Sequence, residues 1–444
     1  MSIALAREHI RASAPVVPEA HLIAAPEGAH LFLADGSRLF DVSPSLERQL
    51  GRAIASDRPD AVAHVMARIG VAGPPRIDDA PLADPSVHAL SLAIAQKCNL
   101  GCSYCYAQQG QFGGKPKDMA LETALQAADM LIDNLPAGAR ANLAFLGGEP
   151  LVNRPTLRAA TRHAAARAAA RGIELGFSIT TNGTLLVADD ADFFEKYGFA
   201  VTISLDGPRD LHDAQRPFRS GAGSYDRIMA RVAPLLAVQH RMQVSARVTV
   251  TPANLDLPRT LDHFIDAGFF SVGFSPLLSA PNRQGEMDAE SLEIMLGQMI
   301  ACGQAYEQAT MTGRRYPFAN MANAMKEIAR GTHRPYPCGA GAGYLGVSAD
   351  GELAACHRFV GDDAGAMGTL ADGISAPARN RWLAERHVHR QEPCASCWAR
   401  YLCGGGCHHE VIARGRPACD YIRGWLHYCL RAYLRLSDAD RRIA

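Results

Sequence analysis

Six short runs of apolar and β-branched residues, each followed by a helical pattern, fill the chain from about residue 88 to 300. The strand candidates are Ala89–Ala95, Ala141–Leu146, Glu174–Thr181, Phe199–Leu205, Val244–Thr251 and Ser271–Leu277. Helical stretches such as Leu121–Leu135, Leu157–Arg171 and Tyr225–Leu236 lie between them. Strand-then-helix repeats connect parallel strands, with the helices covering the sheet. The expected fold is therefore α/β. Polar, glycine-rich sequence follows nearly every strand, and in a closed or partly closed barrel that end carries the chemistry.

The flanks differ. Residues 1–85 hold strand-like stretches at His21–Ala25, His30–Leu33 and Leu39–Val42, with Asp35-Gly36 as a turn. Helical patterns follow at Ser45–Ile54 and Ala61–Ile69, and Asp78–Pro85 has the composition of a linker. From about 335 the chain is rich in cysteine and glycine, and it ends in a helical stretch around Tyr421–Leu436. The three segments expected are 1–85, 86–325 and 326–444.

Lysine plus arginine equals aspartate plus glutamate, so no global field favours nucleic acid or an acidic membrane. No apolar run of eighteen residues marks a membrane span. Arg7, Glu8 and Arg11 break up any secretory core near the start. The expected compartment is the cytoplasm, where thiols stay reduced. Twelve cysteines then need a role other than disulfides. Three fall between 98 and 105 and seven between 338 and 419, while Cys302 and Cys429 stand apart. Such clustering reads as metal or cluster ligation, against the alternative of buried core thiols.

The first group is Cys98-Asn99-Leu100-Gly101-Cys102-Ser103-Tyr104-Cys105, a CX3CX2C spacing just after the first strand. Three thiolates can hold three irons of a [4Fe–4S] cube and leave the fourth open to a bidentate small molecule. A zinc site would show a second ligand pair nearby, and none follows within the next two hundred residues. This segment resembles the signature of the radical S-adenosylmethionine (SAM) superfamily. The resemblance implies a partial (β/α)6 TIM-type barrel, with Tyr104 near the adenine. Gly147-Gly148-Glu149-Pro150 after the second strand matches the motif that binds the methionyl amino group in that family, and a carboxylate can pair with an ammonium. Thr181-Asn182-Gly183 and Ser204-Leu205-Asp206-Gly207 follow strands three and four; His212-Asp213 and Arg216-Pro217 come next. Together they resemble the branch that modifies peptides and proteins. By that resemblance Ser204 contacts the SAM carboxylate, and Asn182 and Asp206 line the site. Arg247 on strand five is a partner for carboxylate or ribose; a structural ion pair is the alternative.

The C-terminal array runs Cys338, Gly351, Cys356, then Cys394, Cys397, Cys403 and Cys407 in CX2CX5CX3C spacing, then Cys419 and Cys429. It resembles the SPASM domain, which holds two auxiliary [4Fe–4S] clusters, three clusters in all. The pattern implies Cys338, Cys356 and Cys407 for the first auxiliary cluster and Cys394, Cys397, Cys403 and Cys419 for the second. Cys429 either completes the first or is a core thiol on a helix. His408, His409 and Glu410 are candidates for a general base, surface histidines being the alternative.

SPASM enzymes act mostly on ribosomally made peptides or proteins. Residues 1–85 resemble the small α+β, winged-helix-like unit that grips a precursor peptide by adding its strand to a sheet edge, the alternative being a cap on the barrel. The stretches 92–114, His357–Gly361 and 397–408 resemble thioether-forming maturases, specifically the family that matures the small subunit of quinohemoprotein amine dehydrogenase. That family joins cysteine sulfur to side-chain carbons of aspartate or glutamate. The resemblance implies a flavodoxin- or ferredoxin-type electron donor, reduction of SAM by the cluster at 98–105, and hydrogen abstraction from a substrate methylene by the resulting 5′-deoxyadenosyl radical. The surplus electron leaves through the auxiliary clusters. Other SPASM maturases, which form carbon–carbon links or formylglycine in sulfatases, and a non-catalytic peptide-binding scaffold are the competing readings.

Overall fold

The computed structural model describes residues 2–15, 19–25, 28–56, 58–71 and 75–443. They form two compact units, each drawn from separated stretches of chain. One holds Leu82–Met287 and Gly339–Leu383; the other holds Met1–Pro81, Asp288–Cys338 and Ala384–Ala444. The three consecutive segments expected from the sequence are thus interleaved.

Three strands lie near the N-terminus: β1 (Ala20–Ala25), β2 (Gly28–Leu33) and β3 (Arg38–Val42). In the barrel unit follow β4 (Ala89–Gln96), β5 (Lys117–Asp118), β6 (Arg140–Gly147), β7 (Glu174–Thr181), β8 (Ala200–Ser204), β9 (Gln243–Val250) and β10 (Ser271–Pro276). Then come β11 (Tyr344–Val347), β12 (Glu352–Ala354), β13 (Ala366–Thr369) and β14 (Gly373–Ile374). The sheet order is β10-β9-β8-β7-β6-β4-β11-β12-β13-β14, with β5 paired to β4. From β10 to β11 every neighbour is parallel; the rest is antiparallel. All six strand expectations hold, and β11 adds a parallel strand that the sequence reading did not assign.

Alternation along these strands separates two surfaces. Val201 and Ile203, Val244, Ala246, Val248 and Val250, and Val272 and Phe274 are buried. The alternate row is small, polar and more open: Thr202 and Ser204, Ser245 and Thr249, Ser271 and Ser275. A parallel sheet buried on both faces would be apolar on both. One polar, partly open face instead suits a barrel interior that receives a polar ligand.

In the other unit, β1, β2 and β3 form an antiparallel sheet. Helices Pro44–Ala55 and Pro59–Arg68 follow; Ser43 caps the first, its hydroxyl accepting from the Leu46 amide at 3.2 Å. Leu31, Leu33 and Val42 pack against Leu50, Val62 and Val65 on one face. Ile23 and Phe32 point the other way and pack against Trp398, Leu402 and Leu430. Trp398 stacks on His21 at 4.0 Å and its indole NH donates to the Ser13 carbonyl at 2.9 Å. The sheet therefore buries both faces, one of them on the segment between Cys397 and Cys403. The helices Ser2–Ala12 and Ala289–Met311, absent from the sequence reading, pack with the long C-terminal helix Cys419–Ile443.

Replacing Trp398 with Ala deletes the largest side chain under the sheet and is expected to cost about 3–5 kcal/mol. Hydrogen exchange should show β1–β3 losing protection first; unchanged protection there would mean the sheet rests on its two helices alone.

Candidate functional site

Strand β4 delivers the chain to Cys98, and the loop turns back through Cys102 and Cys105. Burial pushes the Cys98 thiol up, with the Glu149 charge adding to it. Burial pushes Cys102 up to about 12, opposed by the Arg216 charge, and Cys105 and Cys98 act on it in turn. Cys98, Cys102 and Cys105 thus share one neighbourhood, in which burial disfavours the bare thiolates of Cys98 and Cys102. Among the described residues no three His, Cys, Asp or Glu side chains close to the spacing of a single metal ion. Soft sulfur donors suit an iron–sulfur cluster, whose positive core offsets buried thiolates.

The glycines at the end of β6 serve this loop directly. A Cβ on Gly147 would lie 2.3 Å from the Ala95 carbonyl oxygen, and one on Gly148 2.4 Å from that of Lys97. The Gly148 amide donates to Ala95 O at 2.8 Å and the Glu149 amide to Lys97 O at 3.0 Å. Both glycines thus let β6 touch the backbone that launches Cys98.

Glu149 is fully buried, and its carboxylate is committed within the protein. It accepts from the Thr181 hydroxyl at 2.7 Å, the Asn182 amide at 2.7 Å and the Leu151 amide at 3.0 Å. Pairing of that carboxylate with an ammonium therefore competes with three internal bonds, and Glu149 ties the β6 and β7 ends together. Burial raises its pKa against those donors. Asn182 donates from Nδ2 to Cys98 Sγ at 3.6 Å and to Asn99 Oδ1 at 3.0 Å, and Asn99 donates to the Thr184 hydroxyl at 2.8 Å. The second loop is thereby pinned to the first thiol.

On the far side, the Tyr104 hydroxyl donates to Asp206 Oδ2 at 2.5 Å, and Arg216 Nη1 donates to the same hydroxyl at 2.6 Å. Asp206 also accepts from the Thr249 amide at 3.1 Å. Burial raises the Asp206 pKa, with Arg216 pulling it down. The neighbouring His212 is held neutral, its pKa lowered by burial to about 3, between the Asp206 amide and the Ser224 hydroxyl. Ser204 and Arg247 stand opposite one another in register on β8 and β9, Arg247 exposed. Arg216 was quoted in the sequence but given no role; the HDxxR spacing that places it on the Tyr104 phenol was the available signal.

Among the C-terminal thiols, Cys394, Cys397, Cys403 and Cys419 lie in one unit and act on one another's charge. Burial pushes Cys394 up to about 12. Gly404, Gly405 and Gly406 all have positive φ (71°, 98° and 79°), a run that only glycine adopts readily, and the amides of the last two donate to the Cys403 sulfur. This set fits a cluster by the same reasoning as the first. Cys338 and Cys407 are exposed members of the same unit, while Cys356 belongs to the barrel unit. Cys429 departs from the ligand expectation: it is fully buried on the C-terminal helix, its Sγ 4.0 Å from Met321 Sδ. Burial, then Glu307, raises its pKa, and no other thiol acts on it. It is a core thiol, and Cys302 is buried too. His408 is buried and held neutral, with burial lowering its pKa to about 4.

Residues 92–252 match the Radical SAM superfamily. A serine-type anaerobic sulfatase-maturating enzyme of Klebsiella aerogenes is 27% identical over 74% of this chain and 81% of its own length. The enzyme of the same description from Bacteroides thetaiotaomicron is 27% identical over 79% and 90%. Among solved structures, native anSMEcpe with bound AdoMet aligns at TM-score 0.67 and 17% identity, covering 80% of this chain and all of that one. Streptococcus suis SuiB bound to precursor peptide SuiA aligns at TM-score 0.54 and 14% identity, covering 88% and 94%. Both structures share the fold.

Changing Cys98, Cys102 or Cys105 to Ala should abolish 5′-deoxyadenosine formation from SAM; product from a Cys98→Ala variant would refute the site. Glu149→Gln removes charge-assisted bonds of about 1.5–3 kcal/mol each and should slow that reaction at least about tenfold. An unchanged rate would show that the tie between β6 and β7 is dispensable.

Proposed function

Starting from a radical SAM enzyme that uses SAM and a [4Fe–4S] cluster, we propose that the chain is a peptide maturase. We infer that it joins cysteine sulfur to aspartate or glutamate side-chain carbons in the small subunit of quinohemoprotein amine dehydrogenase. One observation carries the peptide reading. The N-terminal sheet is packed on both faces and leaves the β3 edge unpaired among the described residues. Such an edge accepts a peptide strand through backbone hydrogen bonds and says little about side chains. Phe40 on β3 is 38% exposed beside Arg38, offering an apolar and a cationic contact. The same sheet is built on the segment that carries Cys397 and Cys403, so substrate capture and the second cysteine set share one unit.

Cluster and SAM, when bound, supply the one-electron chemistry that removes a hydrogen atom from a methylene. The chain's own groups do the rest. Cys98, Cys102 and Cys105 hold the cluster, Asn182 donates to the Cys98 sulfur, and Glu149 keeps the two loops in place. Tyr104, Asp206, Ser204 and Arg247 would be the groups that contact SAM. Cys394, Cys397, Cys403 and Cys419 would hold one auxiliary cluster. A flavodoxin- or ferredoxin-type donor would supply the electron.

A second reading, formylglycine formation in a sulfatase, is favoured by the similarity to the sulfatase-maturating enzymes. Against it, anSMEcpe is matched along its whole length while a fifth of this chain lies outside that match. The test uses anaerobically reconstituted protein, SAM, dithionite and the dehydrogenase small subunit. Each link should remove two hydrogens from the substrate mass, map to a cysteine and an acidic residue, and render that cysteine inert to alkylation. A product that reacts with aldehyde reagents would establish formylglycine instead. 5′-Deoxyadenosine with unchanged substrate mass would reject the substrate and leave the enzyme class standing.

A further inference from the structure

Arg216 is 9% exposed and lies at the end of the helix Arg209–Gln215. Its guanidinium sits 5.9 Å from the centre of the Tyr104 ring and hydrogen-bonds the phenol. Its Nε has no partner, and no carboxylate ion-pairs with it among the described residues. Asp206 shares the phenol with it, accepting from the hydroxyl to which Arg216 donates. A buried cation left in this state is costly unless an anion completes it. The groups that act on Arg216 most strongly are Cys102, then Tyr104, then Asp206. Arg216 is also the cation that acts on Cys98 and Glu149 from within the site. The Gly101 and Ser103 amides donate to the Pro217 and Gln215 carbonyls at 2.8 and 3.3 Å, which sets Arg216 beside the Cys102 turn.

We propose that Arg216 is the buried counter-cation of the first cluster, a positioning residue that makes that cluster easier to reduce. This rests on the reading that Cys98, Cys102 and Cys105 hold the cluster. Reduction adds one negative charge to the cluster and its thiolates. A fixed cation beside Cys102 stabilises the reduced form more than the oxidised one, because low dielectric strengthens their attraction. Removing the cation must lower the midpoint potential. Tyr104 holds the guanidinium in place through one hydrogen bond, with Asp206 orienting the phenol. Cluster tuning by neighbouring charge is a general property of iron–sulfur sites.

The test is a potentiometric titration of the reconstituted holoenzyme, reading the EPR signal that changes on adding SAM, which isolates the first cluster. Arg216→Gln should lower the equilibrium constant for reduction at least about tenfold, about 59 mV for one electron. Arg216→Lys keeps the charge and should stay close to wild type, and Tyr104→Phe should shift less than Arg216→Gln. If Arg216→Gln fails to load the first cluster while Arg216→Lys loads it, the need for a positive charge is supported. Equal shifts, or equal loss of the cluster, in the Lys and Gln variants would overturn the proposal. So would an unchanged potential in Arg216→Gln accompanied by weaker SAM binding, which would assign the guanidinium to a ligand carboxylate. A wild-type holoenzyme with no SAM-responsive signal would overturn the site reading and this one with it.

Discussion

The buried carboxylate of Glu149 is the interaction on which the site depends. Its two oxygens take the Thr181 hydroxyl and the amides of Asn182 and Leu151, so one side chain fixes the ends of β6 and β7. Gly147 and Gly148 fix the end of β4 in the same stroke, since only residues without Cβ let the two backbones touch there. Three strand ends are thereby locked around the loop that carries Cys98. Asn182 then reaches the Cys98 sulfur because its own amide is already held. A charged group buried with several donors is costly to leave half satisfied, so this knot is rigid or it is lost.

The barrel was legible because its strands are short β-branched or apolar runs separated by helices of ordinary length. The boundaries moved by a residue or two, as at Ala200–Ser204 against the expected Phe199–Leu205. The helices Ala188–Tyr197 and Leu257–Asp266 follow their strands as the strand-then-helix alternation implies. The interleaving of the two units was illegible for a different reason. The contacts that make it, such as Trp398 under β1 and β2, join residues hundreds of positions apart, and periodicity carries no record of partner.

For the site, spacing singled out the thiols, while what surrounds each of them is visible only in the fold. A carboxylate in a glycine-rich loop reads equally as ligand or as tie, and the three donors around Glu149 appear only in the fold. Cys429 follows its array in sequence, yet helix geometry turns it toward Met321. Arg216 could not be weighed until the Tyr104 phenol was seen to be its hydrogen-bonding partner. The alternation of polar and apolar rows along β8 and β9 was present in the sequence as a period of two. It takes the barrel to show which row faces inward.

Trp398 lies next to Cys397 in sequence and supports the lower face of the N-terminal sheet. The folded arrangement of the Cys394–Cys403 segment and that of the sheet are therefore thermodynamically linked. Any group that binds the four thiols only in their folded arrangement stabilises the sheet by mass action. Linkage is reciprocal, so whatever stabilises the folded sheet favours the folded arrangement of the thiols by the same free energy. The coupling runs through the shared core and acts to the extent that sheet and segment unfold together.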